Sequence, residues 1–391
     1  MNFILGSILG VTATCFCTSC DCTTQLPALQ SSKFECREVA MGCEMRIELF
    51  AQTSQQAQSL ARAAFDRVHA LEDVLSDYQS TSQVGRLATN SGTPIPISRE
   101  LYDALERSIR ISRATNGCFD ATIGASSQLW RQARKEGLVP SEDAIARANA
   151  MVGWDEIVLN SSANQQGPTL TFLRTGIRLD FGAIGKGIAA QAALETLCTL
   201  GTTVAMCSLA GDIACGDPPA GSDGWMIDVE SGIEGVPSCR LILRNQCVST
   251  SGDESQHLDA NGIRYSHVID PRTGHAVTRR IAATVVCRDG AVADALATAL
   301  CVGGPELLTH VSDLHNALGA VSIGDFQARV VEIKSSGQNT PIITFTSGWN
   351  ALVDSTSSRR GPVSPLALEG ADQTATKAAS NSSDQKALLP K

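Results

Sequence analysis

Beyond residue 155 the chain lays strand-forming segments end to end, an order that excludes a strictly alternating α/β architecture. Runs rich in β-branched residues fall at about 156–159, 169–173, 177–181, 203–209, 225–230, 239–250 and 263–269. Helices break this series at only two places. One begins after Gly185-Lys186-Gly187 and ends near Gly201, a C-terminal glycine; the other covers Ala291 to Val302 and is stopped by Gly303-Gly304-Pro305. Earlier, Met45, Ile47 and Leu49 alternate with charged residues, which predicts a half-buried strand over Cys43 to Phe50. Leu60, Ala64, Val68, Leu71, Leu75 and Tyr78 then recur three or four apart, the face of a helix from Ser54 to Tyr78 capped by Thr53 or Ser54. A second helix is expected from Arg99 to Thr115, with Ser98 as N-cap and Asn116-Gly117 as its stop, and a third from Ser141 to Met151. The sum is an α+β fold: one large domain in which helices pack a mixed or antiparallel sheet.

The body of that domain spans residues 37–350. Residues 351–391 are rich in Ser, Ala, Gly and Lys without an apolar period and read as a disordered tail. Residues 1–36 read as a signal or lipoprotein-like segment followed by a tether. Phe3 to Phe16 is an apolar run of signal-core length, and Ala13-Thr14-Cys15 resembles a lipid-attachment site, although no Lys or Arg precedes Lys33. The expectation is an exported chain, tethered at the periplasmic side of the inner membrane. A formal charge of −9 without a basic cluster argues against nucleic acid as partner. Fourteen unevenly spaced cysteines in 391 residues do not form a disulfide framework. Cys15, Cys17, Cys20 and Cys22 crowd the amino terminus, but no second ligand pair with zinc-finger spacing follows.

Three segments carry chemistry. Asp294 and Thr298 stand four apart in a helix, so carboxylate and hydroxyl project from one face, a hard-oxygen pair suited to Mg²⁺. The same spacing also describes a helix-start acid and a buried Thr bonding its own backbone. His267-Val268-Ile269-Asp270-Pro271-Arg272-Thr273-Gly274 follows a strand; Asp270-Pro271 opens a turn, and a strand-end His is a candidate general base. On this segment alone a structural His and a turn-forming Asp are the favoured account. Asp180 to Gly187 is a Gly-rich strand-to-helix turn whose backbone amides and Lys186 suit phosphates. It is neither a Walker loop nor a dinucleotide fingerprint, because Gly187 stands where Ser or Thr is needed and the glycine spacing fails both.

Taken together, these segments resemble the ApbE family of FAD:protein FMN transferases, formerly described as thiamine-biosynthesis lipoproteins. The resemblance runs from Met41 to Gly304 through Met41-Gly42, Ser76-Asp77-Tyr78 with Ser82, Gly117-x-Phe119-Asp120-x-Thr122, Asp180 to Gly187, Gly211-Asp212, Thr250-Ser251-Gly252-Asp253, the His267 loop and Ala293 to Leu300. It implies FAD contacts at Met41, Tyr78, Cys118, Phe119, Asp120, Asp180, Lys186 and Val268. It implies a Mg²⁺ site at the Ala183 carbonyl, Asp294 and Thr298, with His267 as base and Asp270 orienting its ring or holding the turn. The implied substrate is FAD, and the implied partner is a flavin-carrying subunit or domain of a membrane redox system.

The chain departs from the family pattern at Cys43, where Thr is common, at Ala210 for Gly and at Glu254 for Tyr. Ala297 replaces a carboxylate found in some relatives. Two other activities fit the same residues. A Mg²⁺-dependent FAD pyrophosphatase would differ only in using water as nucleophile, and a non-catalytic FAD-binding lipoprotein would use the amino-terminal segment as its anchor.

Overall fold

The computed structural model describes residues 31–87, 91–161, 167–254, 256–310, 314, 326–333 and 340–355. Its amino-terminal half runs β1 (Ser32–Ala40), β2 (Cys43–Ala51), α1 (Ser54–Leu75), β3 (Ile95–Pro96), α2 (Arg99–Ala114), α3 (Gly124–Glu136), α4 (Glu142–Asn149), β4 (Ile157–Asn160) and β5 (Thr169–Phe172). Then follow α5 (Gly185–Thr199), β6 (Ala205–Leu209), β7 (Asp212–Cys215), β8 (Trp225–Val229), β9 (Cys239–Leu243) and β10 (Gln246–Gly252). The last described elements are β11 (His257–Ala260), β12 (Ile263–Ser266), β13 (Ile281–Cys287), α6 (Gly290–Gly303), β14 (Gln327–Ile333) and β15 (Pro341–Phe345).

Eight strands form one sheet in the order β1-β2-β6-β7-β10-β13-β14-β15. Every neighbouring pair in it is antiparallel, so of the two expected arrangements the antiparallel one is realised. The alternation read in β2 is kept: Met45, Ile47 and Leu49 are fully buried against α1, α5 and α6. The opposite face is not simply wet. Glu48 is also buried, paired with Lys33 at 2.5 Å and Arg46 at 3.3 Å. Farther along that face the β8–β9 hairpin lays Trp225, Ile227, Leu241 and Leu243 onto Met206, Val248 and Val286. A separate cluster of Trp130, Ile145, Leu258, Ile269 and Ala276 joins α3 and α4 to the β11–β12 hairpin.

Helix ends follow from local chemistry. Thr53 caps α1 by accepting from Gln56 N–H (3.2 Å), and Ser98 caps α2 by accepting from Leu101 N–H (3.2 Å). Helix α1 stops at Leu75, short of the expected Tyr78, because Ser76 Oγ accepts from the amides of Tyr78 and Gln79 and turns the chain. Three expectations need correction. Residues 177–181 are extended but join no sheet; Gly124 N–H donates to the Arg178 carbonyl and Asp180 N–H to that of Ala121. The run 239–250 is broken at Asn245, whose φ of 51° makes a turn, so β9 and β10 enter different sheets. The body extends past both expected limits: β1 starts at Ser32, and residues 352–354 bond to β9 through Leu352 and Asp354. Residues 1–30 and 356–391, on which most of the expected signal segment and tail fall, lie outside the described residues. Among the described residues no helix is long and apolar enough to cross a membrane.

Helix α6 is buried from Gly290 to Val302 at every position except Thr298. Such a helix must be enclosed, here by β10, β13, α5 and α2. Its close approach to α5 depends on two glycines. A Cβ on Gly187 would lie 2.0 Å from the Gly290 carbonyl oxygen, and one on Gly290 would lie 2.3 Å from that of Gly187. Neither neighbour is a flexible side-chain end, so a methyl group can be admitted only by moving a helix. Gly187→Ala is therefore expected to lower unfolding free energy by about 1–3 kcal/mol, measured by urea denaturation. A change within about 0.5 kcal/mol, as at an ordinary surface position, would show that the helices are not held by this contact.

Candidate active site

The α5–α6 contact brings Asp294 to the amino terminus of α5. Gly187 is the third residue of α5, so its N–H has no acceptor within the helix, and it donates to Asp294 Oδ2 at 3.0 Å. Ala183 stands one residue before the N-cap Ile184, whose carbonyl takes the first helical bond, from Ile188 N–H. Lys186 Nζ lies 2.7 Å from Asp212 Oδ2 and 3.8 Å from Asp294 Oδ2, and Asp212 Oδ1 accepts from Ser249 Oγ at 2.5 Å. One turn along α6, Thr298 Oγ1 shares a hydrogen bond with Ser251 Oγ at 3.0 Å. Asp212, Ser249 and Asp294 are buried, whereas Thr298 is the partly open position of its helix.

These charges are held against a large desolvation cost. Burial and then the neighbouring Asp212 push the Asp294 carboxyl up to about 7, while Lys186 and the amides of Gly187 and Lys186 pull the other way. Burial alone would lower Lys186, but Asp294 and Asp212 raise it well above its ordinary value, so it stays an ammonium. Among the described residues no group of three or more His, Cys, Asp or Glu side chains forms a metal cluster. A cation here would meet one carboxylate, from Asp294, with neutral oxygens from Thr298 and the Ala183 carbonyl. That donor set is hard and sparse, leaving coordination positions for water and a ligand's phosphates.

His267 is presented by a loop fastened to α3 and α4. Trp130 Nε1–H donates to the Gly274 carbonyl at 2.8 Å, and Gly274 has φ 75° where a Cβ would stand 2.9 Å from Asn149 Cβ. Both the backbone N–H (3.0 Å) and Nδ1 (3.1 Å) of His267 reach the Gln256 carbonyl. A carbonyl only accepts, so Nδ1 carries the proton and Nε2 keeps its lone pair. Burial lowers the ring's pKa from 6.5, which keeps it neutral near pH 7. Asp270 does not orient this ring. Its carboxylate accepts from Arg272 Nε (2.9 Å), Nη2 (2.8 Å) and backbone N–H (3.0 Å), and so it holds the turn, the other role expected of it.

The remaining expected FAD contacts divide into exposed surfaces and scaffold. Met41 sits at the tip of the β1–β2 hairpin with φ 50°, its N–H held by Glu72 Oε2 at 3.0 Å. Tyr78 is 76% exposed, and the Arg131 guanidinium lies over its ring at 4.2 Å. Arg131 also bridges Asp77 (2.5 Å) and Asp180 (2.6 Å), linking the Tyr78 turn to the loop that starts α5. Asp180 Oδ1 accepts from Gly182 N–H at 2.7 Å, so its other oxygen serves Arg131. Cys118, Phe119 and Val268 are buried. Asp120 is buried, and its oxygens accept from Thr122 N–H and Oγ1 (2.8 Å each) and from Trp154 N–H (3.0 Å). It shapes its loop.

Arg131 and Glu72 were not singled out by sequence reading, since each stands on a helix where a charge reads as solvated surface. Ala210, one of the departures, has φ 52°, a left-handed conformation that favours the family's usual glycine.

A sequence model of the ApbE family matches residues 41–321. A relative from Haemophilus influenzae, named FAD:protein FMN transferase, is 28% identical over 272 residues, 68% of this chain and 77% of that protein. One of the same name from Treponema pallidum is 28% identical over 286 residues, covering 69% and 78%. The flavin transferase ApbE from Vibrio cholerae superposes with a TM-score of 0.70 at 22% identity, covering 82% of this chain and 99% of that one, which supports the fold. The Pseudomonas stutzeri flavinyl transferase ApbE in its apo form gives 0.67 at 25% identity, covering 83% and 98%.

The raised Asp294 carboxyl has a stability signature. A folded-state value above the unfolded one favours the folded protein while the group is protonated, and that contribution is lost as pH rises toward about 7. In metal-free buffer, urea midpoints of the wild type should therefore fall relative to Asp294→Asn between about pH 4 and 7. Parallel pH profiles would contradict the buried like-charge pair.

Proposed function

The chain belongs to the ApbE family, and on that premise we propose that it is a Mg²⁺-dependent FAD:protein FMN transferase, moving FMN onto a Ser or Thr hydroxyl with release of AMP. Its curated relatives carry the transferase name. The observation that carries the reading is Asp294, a carboxylate buried in an otherwise apolar helix and held between Lys186 and the Gly187 amide. A protein retains such a group against its desolvation cost where a cation and a polyanion are to be bound.

Asp294, Thr298 and the Ala183 carbonyl would hold Mg²⁺, which when bound supplies neutralisation of charge on the diphosphate oxygens. Lys186, kept charged and aimed by Asp212, offers a second cation to the same phosphates, beside the amino-terminal amides of α5. The exposed Tyr78 ring and the Met41 tip offer apolar surface to the flavin. His267 Nε2, its lone pair left free by the Gln256 contact, takes the proton of the acceptor hydroxyl. The acceptor oxygen forms a bond to the FMN-side phosphorus while the phosphorus–oxygen bond to AMP breaks, and AMP leaves with that electron pair. With water in place of the hydroxyl the same residues would release FMN and AMP. Export and tethering by residues 1–36, at the periplasmic side of the inner membrane, are part of the proposal. They would place the site beside an acceptor subunit or domain of a membrane redox system.

The test is mass spectrometry of a flavin-carrying redox subunit incubated with the protein, FAD and Mg²⁺. A gain of one FMN per acceptor, with equimolar AMP, is expected; free FMN beside an unmodified acceptor would mean hydrolysis. His267→Ala should keep FAD affinity and lose transfer by about 10²-fold or more, and full transfer by that variant would exclude the base. The acid limb of wild-type transfer should fall below the ordinary imidazole value of 6.5, as burial dictates.

A further inference from the structure

The chain between Ser251 and Gln256 touches both halves of the site. Ser251 Oγ meets Thr298 Oγ1 at 3.0 Å, and the Gln256 carbonyl accepts from His267 N–H (3.0 Å) and Nδ1–H (3.1 Å). The two ends of this stretch belong to different sheets. Strand β10 ends at Gly252 in the eight-stranded sheet, whereas β11 opens at His257 in a separate two-stranded hairpin with β12. No strand ladder therefore fixes the hairpin that leads into His267 relative to the sheet that carries Ser251, and side chains must do so.

Asp253 stands at that junction and is only 4% exposed. Its Oδ2 lies 2.7 Å from Arg280 Nε and 3.8 Å from Arg264 Nη1. Arg280 belongs to the large sheet: it precedes β13, and its carbonyl accepts from Ile333 N–H of β14 at 2.9 Å. Arg264 belongs to the hairpin, where it pairs with Asp259 across β11 and β12 and reaches that carboxylate at 3.3 Å. Asp253 Oδ2 and Arg280 Nε have no hydrogen-bond partner among the described residues, so their contact is an ion pair without hydrogen-bond alignment. The oxygens of Asp120 and Asp270 bond the amides of their own loops. This one instead carries a buried charge across two sheets, a desolvation cost that a turn alone does not require.

We propose that Asp253, clamped between Arg280 and Arg264, is a positioning residue: it fixes the Gln256 carbonyl and so holds His267 in its Nδ1–H form, with Nε2 free to take a proton. The use of that proton acceptor rests on the transfer reading above; the tautomer does not. Nitrogen NMR of the full chain labelled at histidine reads the tautomer directly, the His267 signal being assigned by its loss in His267→Ala. The wild type should show the Nδ1–H form alone. Asp253→Asn and Arg280→Gln should add the Nε2–H form that a solvated imidazole prefers, and Arg280→Lys, which keeps the charge, should not. His69, on α1, should be unchanged in each and reports an intact fold. In the transfer assay at saturating FAD, Asp253→Asn should slow FMN gain about tenfold or more with FAD affinity unchanged, and should cost nothing further in the His267→Ala background. A wild type lacking the Nδ1–H form, or a single Nδ1–H form in both Asp253→Asn and Arg280→Gln, overturns the proposal. An undiminished loss in the His267→Ala background also overturns it, by making Asp253 a structural anchor only. Tautomer shifts in the variants without FMN gain by the wild type contradict transfer alone, whereas transfer with the tautomer unmoved contradicts the positioning role alone.

Discussion

The packing of Gly187 on Gly290 is the constraint from which the site follows. Two helices meet backbone to backbone, at a distance that no side chain permits, and the meeting point is the first turn of both. Because α6 continues inward with almost no polar surface, its carboxylate at Asp294 is carried to the amides of α5. The amide that Asp294 takes is one of those that the start of any helix leaves without a partner. One backbone contact thus places an acid at a helix amino terminus.

The electrostatics are arranged around that placement. Two buried carboxylates, Asp294 and Asp212, are tolerable because Lys186 lies between them and Ser249 donates to the second. The balance is incomplete, as the raised Asp294 carboxyl indicates, and a divalent ion would complete it. His267 is treated in the opposite way: burial and nearby cations hold it neutral, and a single carbonyl sets its tautomer. Arg131 ties the Tyr78 turn to the loop that starts α5.

Much of this was legible in the sequence where the signal is local. The caps Thr53 and Ser98, the alternation in β2 and the apolar run of α6 each announce themselves within one or two turns of chain. What was missed depends on distant partners. Helix α3 has no capping side chain at Ile123, and only the left-handed Gly137 at its end marks it. Strand β7, with Asp212 at its start, is four residues long, and β13 is buried on both faces, so neither shows a period of two. Asp294 and Thr298 looked like a helix-start acid and a core hydroxyl until the other family motifs supplied context, and Asp120 and Asp270 proved to be loop anchors. A carboxylate that builds a turn and one that faces a ligand have the same local sequence, and only the hydrogen-bond partners separate them.

The central claim is that Asp294, Thr298 and the Ala183 carbonyl form one cation site beside Lys186. Crystals grown with FAD and Mn²⁺, a substitute with similar preference for oxygen ligands, test it through anomalous scattering. The account predicts a single strong peak ligated by those three groups and by FAD phosphate oxygens. A peak ligated elsewhere, or FAD bound with its diphosphate away from Lys186 and no metal at Asp294, would contradict it.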